Sequence, residues 1–478
     1  MGKIEISPNL FRTLDIRGAS EEFVKSQHFA EGSLKSQSAF GTVLSTEIAE
    51  VIGRSIALAE NPKKVVVGYD ARLSSPELTQ ALIKGLTSQG VDVDLIGLVT
   101  TDKLYFAIGN YRDDLGVMTT GSHTIKELNG FKISKLDSDR VFPVAKGTGM
   151  ERIQDLAIKQ EFEDIEKHGV SKEVNIDQDF KQFILDIIPS SELASAKIIF
   201  DPGNGSAGVA FEPIIDDLPV ESIKINFEPD GNFPNHEPDP MIAKNLSELS
   251  ARLLSEKADF GVAWDGDADR ISFIAKDGSI LTGSSVAPLI IEWSAERHEN
   301  LKIITTPPMS FASRETARKL GAETVLAKVG NSNIKIAMKE HGAKLGTEEA
   351  NHFMFAETFY VESGILPVLV ILQLMKRKNM SFEQLISEAV GERSISGDIN
   401  IEVHDAKKVT DGLISYFQNI DGIFDTLDGI SVEFPDWHFC LRPSLNDPVV
   451  RLNLEANSEA KMKKEIENIK NLVKELDS

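Results

Sequence analysis

The sequence predicts an α/β protein of several domains, three of them built alike and followed by a smaller α+β domain. Three observations carry this reading. A short β-branched run, a turn of small residues and a helix-like stretch recur three times, roughly every hundred-odd residues. The tail after Ser381 changes character, mixing helical runs with separate strands. A length of 478 residues, at roughly 100–200 residues per domain, allows three or four domains.

The first repeat is KVVVGYD at Lys64–Asp70, which turns through ARLSSPEL into a helix-like run. The second is KIIFD at Lys197–Asp201, followed by PGNGSAG and an apolar run. The third is KIITT at Lys302–Thr306, followed by PPMSFAS and the helical ETARKL. Each is a βα unit of an α/β layer. The charged, helix-patterned stretch Glu151–Lys172 is expected to close the first domain, and the polar, Ser- and Gly-rich stretch Gly18–Leu44 to be a surface insertion. The domains expected are 1–171, 172–273, 274–380 and 381–478. In the last, Asp411–Gln418 and Glu459–Leu476 read as helices, and Ile430–Phe434 and Val449–Leu454 as strands. The apolar stretch Ile365–Met375 is too short to span a bilayer and reads as a buried helix.

The balance of 74 acidic against 51 basic residues leaves a net charge of −23. Such a surface repels nucleic acid and anionic membranes, so neither is an expected partner. Any phosphate site must be assembled locally from a few arginines, backbone amides and a metal. The single cysteine, Cys440, excludes an intrachain disulfide framework and reads as a small core residue. MGKIEIS has no apolar signal region, and Ile6 stands where a myristoylation pattern needs Ser or Thr. A cytoplasmic protein is expected.

The sharpest local signal is WDGDADR at Trp264–Arg270, where Asp265, Asp267 and Asp269 alternate around Gly266. DFGVAW before it reads as a strand, and ISFIAKDGSIL after it as a hairpin turning at Asp277–Gly278. Three carboxylates converging at a strand end make an all-oxygen cage suited to Mg²⁺. A calcium loop is excluded, because Arg270 and Lys276 stand where it needs Gly and Glu. The plain alternative is a solvated acidic turn.

In MTTGSHTIKELNGFKI at Met118–Ile133, the strand-like LGV leads into a polar loop carrying Ser122 and His123, and NGFKI restarts a strand. In an extended chain these neighbours point to opposite faces, so His123 is not assigned as a base for Ser122. Taken alone, Ser122 also fits a structural turn serine. Arg442, Ser444 and Asn446 in CLRPSLNDPVVRLNLEA suit a phosphate dianion, or equally a solvated turn. Glu348 and His352 in GTEEANH suit sugar hydroxyls, or equally an acidic surface loop.

Together these segments resemble the α-D-phosphohexomutases, most closely the bacterial phosphomannomutase/phosphoglucomutase branch. FRTLDIRG at Phe11–Gly18, VGYDARLSS at Val67–Ser75, TGSH with NGFKI, PDGNFPNHEPDP at Pro229–Pro240, DGDADR, GTEEANH and RPSLNDP stand in the family's order along almost the whole chain. The resemblance implies four domains with mixed sheets around a central cleft. It implies a phosphohexomutase that interconverts hexose 1-phosphate and hexose 6-phosphate of mannose or glucose, through a phosphorylated Ser122 and a bisphosphorylated sugar. Asp265, Asp267 and Asp269 are then expected to hold one Mg²⁺ per chain with an oxygen of phosphorylated Ser122. Arg270 is expected beside the metal loop. Arg17, Lys132 and His123 are expected near the transferring phosphoryl, Glu348 and His352 at the sugar, and Arg442, Ser444 and Asn446 at the non-reacting phosphate. The phosphosugar is the expected partner, a hexose bisphosphate the expected activator, and a monomer or homodimer the expected state. The sequence departs from the family pattern at Thr124–Ile125 after the Ser-His pair, at Leu14, at Asn331, at Ala350 and Asn351 in the sugar loop, and at Leu445–Asp447 in the phosphate loop. These departures leave the preferred sugar open.

Overall fold

The β-branched and aromatic runs become strands, and the described strands group into four sheets. The computed structural model describes residues 3–21, 42–163, 165–418, 420, 422–444 and 449–478. The first sheet comprises β1 (Ile16–Ser20), β2 (Val43–Leu44), β3 (Lys64–Tyr69), β4 (Asp92–Leu98), β5 (Leu115–Thr119), β6 (Leu128–Asp137), β7 (Arg140–Pro143) and β8 (Ser171–Glu173). Their order is β2-β1-β6-β5-β3-β4-β8, with β7 paired to β6. β3 runs parallel to β4 and β5, whereas β6 runs antiparallel to β1 and β5. Val65, Val66 and Val67 of β3 are all buried, which is why this central parallel strand reads as an unbroken apolar run.

Two expectations change here. The helix expected across Glu151–Lys172 spans only Met150–Lys159. Gln160 takes a left-handed conformation and its N–H bonds Leu156 O, which ends the helix; residues 171–173 instead add β8 beside β4. Nor is the stretch 18–44 wholly an insertion. Its first residues belong to β1 and its last form β2, with Ala19 and Leu44 buried; residues 22–41 lie outside the described residues.

The second sheet contains β9 (Lys197–Asp201), β10 (Glu221–Lys224), β11 (Phe260–Trp264), β12 (Ile271–Ile274) and β13 (Ile280–Leu281), in the order β10-β9-β11-β12-β13. β9 runs parallel to β10 and β11, and β11 antiparallel to β12. In the third, β14 (Lys302–Thr305) runs parallel to β15 (Glu323–Leu326) and β16 (Leu345–Thr347). β17 (Phe353–Phe355) and β18 (Val361–Glu362) pair antiparallel. The repetition has a consequence for chemistry. Ser122 lies in the loop after β5, the three aspartates in the loop after β11, and Glu348 and His352 in the loop after β16. Each loop thus follows a strand paired in parallel with the first strand of its repeat.

The fourth sheet is antiparallel: β19 (Ser394–Ile395), β20 (Ile399–Glu402), β21 (Ile423–Asp425), β22 (Ile430–Glu433), β23 (Trp437–Pro443) and β24 (Val449–Ala456). Helices Ala406–Phe417 and Glu459–Asp477 bury Val409, Leu413, Ile469 and Val473 with its apolar residues, in the α+β arrangement expected for the tail.

The chain gathers into two compact units. One holds residues 3–21, 42–280 and 354–376, the other residues 281–353 and 377–478. In the first, helix Leu366–Lys378 buries every residue from Leu366 to Met375, as its apolar composition requires. No helix among the described residues is long and apolar enough to cross a membrane. Trp264, at the end of β11, stacks on Phe200 at 5.9 Å and tilts against Phe211 at 5.4 Å. The aspartate loop therefore leaves a rigid aromatic core, and truncating Trp264 to Ala would cost about 3–5 kcal/mol.

Candidate active site

The Ser122 loop is held from below by a buried ion pair. Asp70, just past the end of β3, accepts through Oδ2 from Thr120 Oγ1 at 2.8 Å and Gly121 N at 3.2 Å, and through Oδ1 from Ser75 Oγ at 2.5 Å. Its partner Arg72 pairs at 3.1 Å and donates to three carbonyls of the loop: Ser122 O at 2.8 Å, Thr124 O at 2.6 Å and Ile125 O at 2.5 Å. Both side chains are fully buried. A Cβ on Gly121 would sit 2.4 Å from the Arg72 guanidinium carbon, so only glycine fits. From the other side Arg17 Nη1 donates to Gly121 O at 2.6 Å while its Nε pairs with Asp15 at 2.7 Å.

These bonds hold Ser122 at φ 53°, a left-handed conformation that costs a non-glycine residue about 1–2 kcal/mol. That twist overturns the opposite-face argument for its neighbour. The loop is not extended, and Ser122 Oγ lies 3.4 Å from His123 Nδ1. Burial, then the charges of Arg270 and Arg17, hold the His123 pKa well below its usual value, so its imidazole is neutral.

β11 delivers the second loop. Ala268 N bonds Asp265 O at 3.0 Å, and Ala268 takes φ 57°, so the turn brings the three carboxylates together. One oxygen from each of Asp265, Asp267 and Asp269 lies within 4.8 Å of the others, and all three residues are buried. Ser122 Oγ donates to Asp265 Oδ2 at 3.1 Å and accepts from Arg270 Nη1 at 2.8 Å. Arg270 also pairs with Asp265 Oδ2 at 2.8 Å. Lys132, on β6, reaches Asp267 Oδ2 at 2.6 Å and pairs with Asp269.

The electrostatics follow. Burial and the charges of Asp269 and Asp267 push the Asp265 carboxyl up to about 7, against Arg270 and Lys132. Burial alone would lower the Lys132 pKa, but Asp267, Asp269 and Asp265 outweigh it and raise it. The trio fits a hard divalent cation, because every ligand atom is a carboxylate oxygen. Asp267 Oδ1, moreover, is buried with no hydrogen-bond partner among the described residues. Such an orphan costs about 1–3 kcal/mol, which a bound cation would remove.

Ser122, His123, Arg17, Lys132, Asp265, Asp267, Asp269 and Arg270 thus lie within one unit, joined by the contacts above. Glu348, His352, Arg442 and Ser444 lie in the other. Glu348 Oε1 accepts from Gly330 N at 2.7 Å, and its Oε2 lies 2.6 Å from His352 Nδ1, both side chains being buried. Asn351, which departs from the family pattern, has φ 60°, a conformation that suits Asn; its amide donates to Leu281 O at 3.2 Å. Arg442 stands on β23 directly opposite Arg451 on β24, and Ser444 N bonds Val449 O at 2.9 Å. Asn446 lies outside the described residues.

Sequence reasoning missed Arg72 and Asp70 as loop holders, Thr101 as a partner of Asp267 Oδ2 at 2.5 Å, and Arg451 as the neighbour of Arg442. VGYDARLSS was visible as a turn motif, and the Asp-Ala-Arg within it was the available signal. Thr101 carried none.

Comparison with known proteins supports the same reading. Profiles of the phosphoglucomutase/phosphomannomutase α/β/α domains I, II and III match residues 9–162, 176–278 and 282–392 in order. A phosphomannomutase of Vibrio cholerae serotype O1 is 34% identical over 453 residues, covering 91% of this chain and 96% of its own. A phosphomannomutase of Methanocaldococcus jannaschii is 33% identical over 442 residues, covering 92% and 96%. The crystal structure of a phosphoglucomutase/phosphomannomutase family protein from Burkholderia thailandensis superposes with a TM-score of 0.82 at 27% identity, covering 99% of this chain and 98% of that one. The chain belongs to the phosphoglucomutase/phosphomannomutase family. As an enzyme it is a phosphohexomutase, an isomerase that relocates a phosphoryl group on a phosphosugar.

Proposed function

We propose that this phosphohexomutase interconverts hexose 1-phosphate and hexose 6-phosphate, of mannose or glucose, through a phosphorylated Ser122 and a bisphosphorylated sugar. The observation that carries the proposal is the placement of the Ser122 hydroxyl, 3.1 Å from Asp265 Oδ2 and 2.8 Å from Arg270 Nη1. In the forward half-reaction the bond between Ser122 Oγ and phosphorus breaks, and the free hydroxyl of the sugar monophosphate forms the new P–O bond. The proton of that hydroxyl passes to a neutral base, a role His123 Nδ1 suits, and from it to the departing Ser122 Oγ, 3.4 Å away, which becomes a hydroxyl; the same path runs in reverse when the bisphosphate's other phosphoryl group returns to Ser122. Little covalent work falls to the protein, so positioning and charge dominate.

Asp265, Asp267 and Asp269 would hold Mg²⁺, one per chain, together with an oxygen of phosphorylated Ser122. Bound there, the ion would offset negative charge on the transferring phosphoryl group. Arg17, Lys132 and Arg270 add positive charge around the same oxygens. Arg72 keeps the serine turned toward them. Glu348 and His352 would accept and donate hydrogen bonds at sugar hydroxyls, and Arg442, Ser444 and Asn446 would hold the phosphate that does not react. A hexose bisphosphate would serve as activator by charging Ser122. A cytoplasmic monomer or homodimer acting on free phosphosugars agrees with this reading.

A coupled assay tests it. Mannose 1-phosphate comes first, since the Vibrio and Methanocaldococcus relatives carry the phosphomannomutase name; glucose 1-phosphate follows, each with Mg²⁺ and a trace of hexose bisphosphate. Conversion to the 6-phosphate that depends on Mg²⁺ is expected. Release of inorganic phosphate without isomerisation would instead make the chain a phosphatase with Asp265 as nucleophile, and binding without turnover would make it a phosphosugar-binding protein.

A further inference from the structure

Helix Thr101–Tyr111 begins against the aspartate loop. Thr101 donates twice to Asp267: its N–H to the carbonyl at 2.8 Å and its hydroxyl to Oδ2 at 2.5 Å. The next residue, Asp102, turns to another segment, the one that leads into helix Leu366–Lys378. Its Oδ2 accepts from Gly364 N at 3.1 Å and Ser363 Oγ at 3.3 Å. Gly364 O in turn accepts from Trp264 Nε1 at 2.6 Å, and Trp264 immediately precedes Asp265. The bonds therefore close a ring: Asp267 to Thr101, along the chain to Asp102, across to Gly364, across to Trp264, and along the loop back to Asp267. Thr101, Asp102, Trp264 and Asp267 are all buried, so water cannot substitute for any member.

We propose that Thr101 is a positioning residue for the cation site, with Asp102 as its anchor. The inference rests on the reading of Asp265, Asp267 and Asp269 as cation ligands. A carboxylate has two oxygens, and which one faces a metal depends on what holds the other. Asp267 Oδ2 is filled by the Thr101 hydroxyl and the Lys132 ammonium. Rotating the group would break both bonds inside a buried site. Oδ1, the oxygen without a hydrogen-bond partner, is thereby the one left for the cation. The bond from Thr101 N–H to the Asp267 carbonyl fixes the backbone beneath it, and the Trp264–Gly364–Asp102 side of the ring fixes the start of the loop. Asp265 and Asp267 are so held in register from both ends.

The test is direct cation binding by the full chain, stripped with EDTA and titrated calorimetrically with MgCl₂, and with Mn²⁺ read by electron paramagnetic resonance. Thr101→Val keeps the side-chain shape and removes the hydroxyl. It is expected to bind Mg²⁺ about 10–100-fold more weakly than wild type, with Thr101→Ser recovering most of the loss. Melting temperatures in EDTA are expected to stay close to wild type. Asp102→Asn, which keeps the shape of the anchor, supplies a second variant should Thr101→Val fail to fold, and is expected to weaken binding in the same direction but less. Wild-type affinity in both variants overturns the proposal. So does a loss shared by Thr101→Ser and tracked by a lower melting temperature in EDTA, since that marks a purely structural role. A wild-type chain that binds no divalent cation overturns the ligand reading itself, and is told apart because it appears before any variant is made.

Discussion

The hydroxyl of Ser122 lies within hydrogen-bond reach of Asp265 Oδ2, at 3.1 Å, although 143 residues separate them in the chain. The bond joins the loop after β5 to the loop after β11, equivalent positions in two successive repeats. Arg270 completes it by donating to both partners at 2.8 Å. A phosphoryl group carried on Ser122 would therefore meet an acidic cage and an arginine without any movement of the backbone that bears it.

The Asp70–Arg72 pair should matter for both folding and catalysis. Arg72→Met leaves Asp70 buried and unpaired and strips donors from three carbonyls. A loss of about 3–5 kcal/mol is expected, read as a lower melting temperature by calorimetry. Arg72→Lys should not restore activity, because one ammonium cannot reproduce the planar fork. Wild-type turnover in Arg72→Lys would show that the loop needs only the charge.

Lys132 helps to fix the cage, since its ammonium is held by Asp267 Oδ2 and Asp269. Lys132→Met should therefore weaken Mg²⁺ binding and lower kcat by about 10²–10³-fold, the usual cost of one lost charge-stabilising donor. Calorimetry and steady-state kinetics on the same preparation separate the two effects. Tighter Mg²⁺ binding in the variant would mean that Lys132 competes with the cation rather than supports the cage.

Glu455 supplies a pH dependence. Burial raises its carboxyl from 4.5 to about 7, although Phe311 N–H, Arg393 and Arg314 oppose the shift. Its Oε2 accepts from Phe311 N at 2.6 Å. An acid whose folded pKa lies above its unfolded one keeps an extra proton in the native state, so stability falls as pH rises from about 4.5 to 7. The full loss is on the order of 3 kcal/mol. Glu455→Gln should gain melting temperature relative to wild type as pH rises from 5 to 8. Parallel profiles for the two proteins would refute the assignment.

The loop proposed to read the sugar offers a specificity test. Ala350 carries no hydroxyl, while Glu348 beside it is already engaged by Gly330 N–H and His352. Ala350→Ser adds one donor, and a single hydrogen bond is worth about 0.5–1.5 kcal/mol. A change of about 2–10-fold in the kcat/KM ratio between mannose 1-phosphate and glucose 1-phosphate is expected. An unchanged ratio would place sugar discrimination elsewhere.

Arg442 and Arg451 face each other across β23 and β24. Like charges directly opposite destabilise a sheet, so an anion between them should be stabilising. Inorganic phosphate is expected to raise the melting temperature of wild type more than that of Arg451→Met, and the variant should show a higher KM for hexose phosphates. Equal shifts would remove Arg451 from the phosphate site.

The sequence was most legible where one physical cause dominated. β3, β9 and β14 are short buried parallel strands, so they read as unbroken apolar runs. Asp265, Asp267 and Asp269 stood out because alternating carboxylates in a tight turn repel one another without a cation. Helix Glu459–Asp477 showed the 3.6-residue period of a half-buried surface helix. What stayed hidden depends on backbone angles or distant partners. The Ser122–His123 contact follows from φ 53° at Ser122, which no local pattern encodes. Thr101 carries no local signal, and only the fold sets it against Asp267. The charge-rich stretch after Lys159 mimicked a helix because composition does not register the left-handed residue at Gln160. Ala19 and Leu44 looked like the flanks of an insertion because a strand as short as β2 has no periodicity to read.

The most direct test of the central claim is the intact mass of the chain after incubation with glucose 1,6-bisphosphate and Mg²⁺, with the modified residue located by peptide mapping. The expected result is a gain of one phosphoryl group on Ser122, discharged by added hexose monophosphate and absent from Ser122→Ala, whose turnover falls on the order of a thousandfold or more. Phosphate found on Asp265, or a Ser122→Ala variant that still isomerises the sugar, would contradict it.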